Sequence, residues 1–177
     1  MRVSTSLESL CEQRLRGLDV PRPFRLDEFS EAVARARGRP LHILTLPELD
    51  GDDDQALTGV LISTEDDDWV FASPGASPWH RDLIVLHEIA HLLCGHGADA
   101  QWPRDHVQAL LPELSDQSVQ HALTRHAYTG AQEREAEQLA SLILARADAD
   151  PLGTDSAGRE GVAGRLTHTL RHPVRHV

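Results

Sequence analysis

Two histidines and a glutamate in the pentapeptide His87–His91, which reads H-E-I-A-H, are the residues of this sequence best suited to chemistry. On a helix, His87 and His91 are four residues apart, so their imidazole rings project from one face. Two imidazole nitrogens at that spacing can bind one Zn²⁺ ion. Glu88 lies beside the same face and can accept a proton from a water molecule near the ion. The spacing therefore indicates metal-assisted hydrolysis with Glu88 as the general base.

The residues around the pentapeptide predict the helix that positions it. Apolar residues recur at the spacing of one helical face, at Leu86, Ile89, Ala90 and Leu93. We expect a buried helix from about Trp79 to Cys94, ended by Gly95. Two histidines on a core helix can also be incidental, so the third ligand decides between a metal site and ordinary packing.

A third ligand is expected from a later helix, predicted over Ala131–Ala147. Its apolar residues form one stripe: Ala136, Leu139, Ala140, Ile143 and Ala147. At about 100° per residue, Glu133 lies closest to this stripe, Glu137 lies further round on the same side, and Glu135 lies on the opposite flank. Glu133 is the predicted third ligand, with Glu135 as the alternative. Glu137, one turn on, is predicted to hold a ligand imidazole through a hydrogen bond.

Hydrolysis also requires a group that stabilises the charge developing on the carbonyl oxygen of the substrate. The candidates are His80, His96, His126 and Tyr128. Cys94 is close to His91 in sequence, but its offset favours packing over ligation. We expect the substrate to lie extended along the strand Trp69–Ala72 by strand addition.

Two stretches of the sequence follow a known pattern. Residues 87–93 read H-E-I-A-H-L-L and residues 133–140 read E-R-E-A-E-Q-L-A. They resemble the ImmA/IrrE family of zinc metallopeptidases, whose pattern is H-E-L-G-H followed by E-x-E-A-N-x-F-A. The resemblance covers roughly residues 41–147. This chain departs from the pattern at Ala90, Glu137 and Leu139, and it lacks the L-L-M-P that follows in the family.

The resemblance implies a gluzincin-like site. His87 and His91 would be ligands, Glu88 the base, and a glutamate of the second stretch, Glu133 or Glu135, the third ligand. It also implies a protein substrate, namely a DNA-binding transcriptional regulator such as a helix-turn-helix repressor.

Composition argues against several other classes of protein. The net charge of −11 disfavours direct contact with nucleic acid. All 17 basic residues are arginine, which excludes a phosphate-binding or Schiff-base lysine. No segment resembles a signal peptide or a membrane span, so a cytoplasmic protein is expected. Cys11 and Cys94 are predicted to be free thiols.

The predicted fold class is α+β. We expect a mainly helical, zincin-like domain with a small three-stranded sheet, antiparallel or mixed, packed on the histidine-bearing helix. The predicted strands are Leu41–Leu46, Leu57–Ser63 and Trp69–Ala72, and further helices are predicted over Ser6–Arg16, Asp27–Arg37 and Asp116–His126. The acidic segments Asp50–Asp54 and Thr64–Asp68 are expected to be solvated turns, the second of them closing a hairpin.

The chain is predicted to divide into a helical extension over residues 1–40, the metallopeptidase domain over 41–150, and a flexible tail over 151–177. Histidines recur every four residues in the tail, at His168, His172 and His176, but Pro173 interrupts any helix there. Two other functions fit the same motifs. The protein would then be a zinc-stabilised binding module that does not cut its partner, or a component of a toxin-antitoxin pair.

Overall fold

The computed structural model describes residues 6–47, 58–96, 104–113, 123–125 and 128–148. Within these ranges the helices are α1 (Leu7–Arg14), α2 (Leu26–Arg37), α3 (Pro78–Cys94), α4 (Arg104–Leu110) and α5 (Gly130–Asp148). The strands are β1 (Leu41–Thr45), β2 (Gly59–Ser63), β3 (Asp68–Ala72) and β4 (Leu123–Arg125). The predicted α+β class is confirmed.

The strands form one mixed sheet in the order β1-β3-β2-β4. Strands β2 and β3 make the predicted antiparallel hairpin, and β1 pairs with β3 in the parallel sense. Because β3 lies between β1 and β2, neither of its sides is open to an added strand. The expectation that a substrate would pair with Trp69–Ala72 is therefore wrong.

Strand β4 extends the sheet beyond the three predicted strands and corrects part of the sequence prediction. Leu123–Arg125 pairs antiparallel with β2, where a helix over Asp116–His126 was expected. Pairing with a distant strand satisfies the backbone groups of these residues, and this tertiary contact overrides the local helical pattern. Residues 116–122 and 126 lie outside the described residues.

Both faces of the sheet are buried at strands β2 and β3, which explains their apolar sequences. One face carries Leu61 and Val70 into the main core, where α3 packs on β2 and β3 and α5 packs on α3. The opposite face carries Val60, Ile62 and Phe71 toward residues of α4. The sheet therefore supports the histidine-bearing helix, as predicted.

Helix α3 has defined ends that fix its position in the chain. The Ser77 side chain accepts a hydrogen bond from the His80 backbone N–H, and Pro78 occupies the first turn. Gly95 ends the helix in the left-handed conformation, at φ 69°. The predicted span of this helix and its glycine stop are confirmed.

Helices α1 and α2 pack on the same core as α3 and α5. Cys11 and Leu15 of the N-terminal region, with Phe29 and Val33 of α2, are fully or almost fully buried there. The predicted helical extension is thus packed against the helices that carry the site. The predicted tail, with its three histidines, and Asp50–Asp54 lie outside the described residues. No helix in the described part of the chain is both long and apolar enough to cross a membrane.

Asp68 corrects the expectation that the hairpin turn is wholly solvated. Its side chain is fully buried at the start of β3 and forms salt bridges with Arg37 at 2.6 Å and Arg39 at 3.2 Å. Ser63 donates a further hydrogen bond to it. A buried carboxylate requires such partners, so Asp68 ties the hairpin to the end of α2.

Candidate metal centre

His87 and His91 lie on one face of α3, as their spacing predicted. Their Nε2 atoms are 3.0 Å apart, and their rings meet edge to face. His91 is fully buried and His87 nearly so. Two buried ring nitrogens therefore converge on one point beside α3.

Helix α5 brings Glu133 to the same point. The five residues of its predicted stripe are all buried against the core, so the helical phase derived from the sequence is correct. Glu133 carboxylate oxygens lie 3.2 Å from His87 Nε2 and 3.7 Å from His91 Nε2. His87, His91 and Glu133 together form a group that can hold a metal ion. Glu135 faces away from this group, toward His96.

The pKa values of the three residues reflect their contacts. Burial alone would raise the pKa of Glu133, but its hydrogen bonds with the two histidines lower it far below its usual range. Burial lowers the pKa of His91 to about 4. Burial also opposes the charged form of His87, yet the Glu133 hydrogen bond and nearby carboxylates outweigh it and raise its pKa. An ionised carboxylate between two imidazoles is a ligand set that favours a cation.

Glu88 is buried between α3 and the start of β2. Burial raises its pKa to about 7, and the charge of His87 only partly offsets this. The close approach requires a glycine on the strand, because a Cβ atom at Gly59 would lie 2.7 Å from Glu88 Oε1 and 2.8 Å from Ile84 Cγ2. Glu88 is thus a carboxyl group that can hold or release a proton near neutral pH, which suits a general base.

Tyr128 completes the surroundings of Glu88 and His91. Its ring stacks on the His91 ring, with centroids 3.4 Å apart and planes at 14°. The nearby Tyr128 hydroxyl favours the ionised form of Glu88 and lowers the pKa of that group, which opposes the effect of burial. Among the oxyanion candidates that the structure describes, Tyr128 is the one that lies against both His91 and Glu88.

The remaining predicted residues have different surroundings. His96 contacts the far side of the His91 ring, where its Nδ1 lies 2.9 Å from His91 Nδ1. Cys94 is a buried free thiol, like Cys11, and lies near His96 and Glu135. The charge of Glu137 favours the protonated form of His87, and its predicted hydrogen bond to a ligand imidazole stays a prediction. Residue 126 lies outside the described residues.

Sequence reasoning missed two features of the site. Gly59 lies 29 residues before Glu88, in a strand whose partner helix the sequence does not identify. The contact between His96 and His91 depends on the left-handed turn at Gly95. The glycine itself was the available signal for that turn, because it lets the chain fold back beside the end of α3.

Comparisons of the chain with protein-family models, with curated proteins and with solved structures found no match. The arrangement of the residues offers three converging donors for one cation and a buried carboxyl group next to them. Such a site can bind a divalent ion and move a proton beside it.

Proposed function

We propose that this chain is a zinc-dependent metallopeptidase with a zincin-like site. The observation that carries the proposal is the spacing of the three ligand atoms. Ligands about 2.0–2.1 Å from a tetrahedral Zn²⁺ ion lie about 3.3 Å from one another. His87 Nε2 lies 3.0 Å from His91 Nε2 and 3.2 Å from Glu133 Oε2, and His91 Nε2 lies 3.7 Å from the other carboxylate oxygen, Oε1. These distances lie on both sides of that value.

The kinds of donor also support zinc. Two imidazoles and one carboxylate are a ligand set of catalytic zinc sites, where three protein ligands leave a further position open. Calcium and magnesium prefer oxygen ligands alone, so the two histidines disfavour them. A zinc ion held by these residues would supply Lewis acidity and make a nearby water molecule easier to deprotonate.

Glu88 would carry the proton in this reaction. Its pKa of about 7 lets it accept a proton from water and later return it to the leaving amine. Tyr128, whose ring stacks on the His91 ring, is our candidate for donating a hydrogen bond to the carbonyl oxygen of a substrate once that oxygen gains charge. His87, His91 and Glu133 would serve as ligands and take no proton.

The proposed substrate is a protein, specifically a DNA-binding transcriptional regulator, as the family resemblance implies. The acidic composition supports a protein partner over direct contact with nucleic acid. Strand β4 is an edge of the described sheet and leads within three residues to Tyr128. This edge is the place where we expect an extended substrate segment to pair.

A Glu88→Gln variant tests the proposal, because it keeps the shape of the side chain and removes the base. The zinc-loaded wild type and the variant are incubated with a proteome-derived peptide library, and new termini are counted by mass spectrometry. We expect cleavage to fall by at least about 100-fold while the zinc content stays equal to that of the wild type. Glu31→Gln, an exposed change on α2, is the matched control and should cut like the wild type.

Two results would contradict the peptidase function. Wild-type protein that contains no zinc after purification without chelator would contradict the proposed metal centre. Equal amounts of product from wild type and Glu88→Gln would contradict the role of Glu88 as general base. If zinc is bound but no cleavage occurs, and Glu88→Gln regulates the target promoter as well as the wild type does, the protein is a zinc-stabilised binding module.

A further inference from the structure

A second group of metal-binding side chains lies on the far side of His91. Cys94, His96 and Glu135 place one donor atom each within 4.8 Å of one another, and we name them the second cluster. His96 Nε2 lies 3.3 Å from a Glu135 carboxylate oxygen. Cys94 and His96 are buried, whereas the Glu135 side chain is 21% exposed. The cluster is therefore enclosed, with access from solvent along Glu135.

The position of the second cluster favours a cation. Cys94 is the last residue of α3, and the carbonyl groups at the end of a helix carry partial negative charge. The left-handed turn at Gly95 brings Cys94 and His96, two residues apart, to the same side of the helix end. Glu135 adds a carboxylate from α5. The end of α3, the turn at Gly95 and α5 therefore bring a thiol, an imidazole and a carboxylate together, and none of these three ligands is positively charged when the imidazole is neutral.

We propose that Cys94, His96 and Glu135 form a second metal site, for a divalent ion of the zinc type. Thiolate and imidazole together select zinc and similar transition metals over calcium and magnesium. The thiolate also distinguishes this site chemically from the His87–His91–Glu133 centre, which has no sulfur ligand.

The chemistry of binding follows from the protonation of the metal-free cluster. Burial and the neighbouring Glu135 carboxylate raise the pKa of the Cys94 thiol, so the sulfur carries its proton at neutral pH. Binding a divalent ion releases this proton to solvent and forms a metal–sulfur bond. The ion also takes the place of the hydrogen at His96 Nε2. His96 then takes the shared hydrogen on Nδ1 from His91, and the displaced hydrogen goes to His91 Nε2, so both rings stay neutral. The thiolate and the carboxylate then balance the two positive charges.

The hydrogen bond between His91 Nδ1 and His96 Nδ1, 2.9 Å long, couples the two metal sites. An ion on His91 Nε2 requires the shared proton on His91 Nδ1, so that His96 accepts it and keeps a hydrogen on Nε2. An ion on His96 Nε2 requires the opposite arrangement. One proton cannot meet both requirements, so occupation of either site weakens the other. This coupling, unlike the second site itself, rests on the proposed function.

Cobalt titration of the metal-free full-length chain tests the proposal, because a thiolate ligand adds a near-ultraviolet charge-transfer band that imidazole and carboxylate ligands lack. In the wild type we expect this band to develop with the second equivalent of Co²⁺. It should be absent in Cys94→Ser and retained in Cys11→Ser, which changes the other buried thiol. Glu135→Gln should weaken the band if Cys94→Ser does not fold, as judged by circular dichroism.

A further variant separates this proposal from the peptidase function. In His87→Ala, which removes a ligand of the first centre only, we expect the thiolate band with the first equivalent of Co²⁺. The second site is overturned if the band is absent from both the wild type and His87→Ala. It is also overturned if the band is lost in Cys11→Ser but retained in Cys94→Ser. A chain that shows the band but cuts no peptide would overturn the peptidase function and leave the second site supported.

Discussion

Glu133 and Glu135 are two residues apart on α5, yet they contact different histidines. Glu133 lies 3.2 Å from His87 Nε2, whereas Glu135 lies 3.3 Å from His96 Nε2. The cause is the helical period, because residues two positions apart on a helix lie about 200° apart around its axis. The choice of ligand glutamate is therefore a matter of helical phase.

The two glutamates should differ in their effect on zinc. Glu133→Gln removes a ligand charge at constant shape, and we expect the affinity of the first centre for zinc to fall by more than about 100-fold. Glu135→Gln acts only through His96 and His91 and should weaken that centre by about 10-fold or less. Glu137→Gln should lie between them. Competition with a chromophoric chelator measures all three in a Cys94→Ser background, and the reverse order would show that Glu135 is the ligand.

The buried carboxyl group of Glu88 should reduce the stability of the metal-free protein at alkaline pH. An unfolded chain releases this proton near pH 4.5, whereas the folded chain keeps it up to about pH 7. The contribution of the protonated Glu88 carboxyl group to the free energy of unfolding is thus fully present below about pH 4.5. This contribution is lost as the pH rises through about 7.

Glu88→Gln removes that loss, because glutamine stays neutral. We expect the metal-free variant to be more stable than the metal-free wild type at pH 8, by up to about 3 kcal/mol, and no more stable at pH 4. Chemical denaturation at the two pH values measures the difference. Glu31→Gln should show no such dependence, and a Glu88→Gln variant that is less stable at pH 8 would contradict the burial of an ionisable group.

At the scale of elements, the contact between β2 and α3 determines where Glu88 lies. Gly59 allows the strand backbone to approach Ile84 and Glu88, whose atoms would lie 2.7–2.8 Å from any Cβ atom placed there. Neither neighbour can move freely, since both are buried in the core. The first residue of this strand is therefore part of the site through packing.

Gly59→Ala should disturb catalysis more than folding. We expect peptide cleavage to fall by at least about 10-fold, with zinc content unchanged and a loss of about 1–3 kcal/mol in stability from overpacking. Gly75→Ala is the matched control, because a Cβ atom at Gly75 meets nothing within 4 Å. Cleavage assays with denaturant titrations report both effects. Full activity in Gly59→Ala would show that Glu88 does not need this contact.

Local sequence signals were sufficient to predict the two helices that carry the ligands, α3 and α5. The periodic apolar residues of α3 and α5 predicted both spans and the phase that turns Glu133 toward the histidines. Gly95 marked the end of α3. These features depend on residues within a few turns of one another, so a single sequence contains them.

Features that depend on distant pairing could not be predicted in the same way. Strand β4 exists because it pairs with β2, about 60 residues earlier in the chain. The burial of Asp68 depends on Arg37 and Arg39 of another element. Tyr128 was one candidate among four until the fold placed its ring on His91. In each case the partner lies far away in sequence and leaves no local pattern.

At the scale of the whole molecule, the core and the metal centre make separate contributions to stability. The contact between α3 and α5 includes apolar residues such as Ile89, Leu139 and Ile143, which are fully buried in the main core. That packing does not require an ion. A zinc ion would add a bridge from His87 and His91 on α3 to Glu133 on α5, and would bind the folded chain only.

Removal of zinc should therefore lower the melting temperature without unfolding the protein. An ion at about 1,000 times its dissociation constant stabilises the folded state by about 4 kcal/mol. For a chain of this size, that corresponds to a shift of about 8–16 °C. We expect metal-free protein to keep its far-ultraviolet circular dichroism at 25 °C and to melt in one transition at the lower temperature. Cys94→Ser should show most of this shift, because it retains the first centre, and the addition of His87→Ala to that variant should remove most of what is left. A wild type that melts at the same temperature with and without zinc would contradict a metal bridge between α3 and α5. A wild type that unfolds at 25 °C on chelation would show that the apolar core alone cannot hold these helices together.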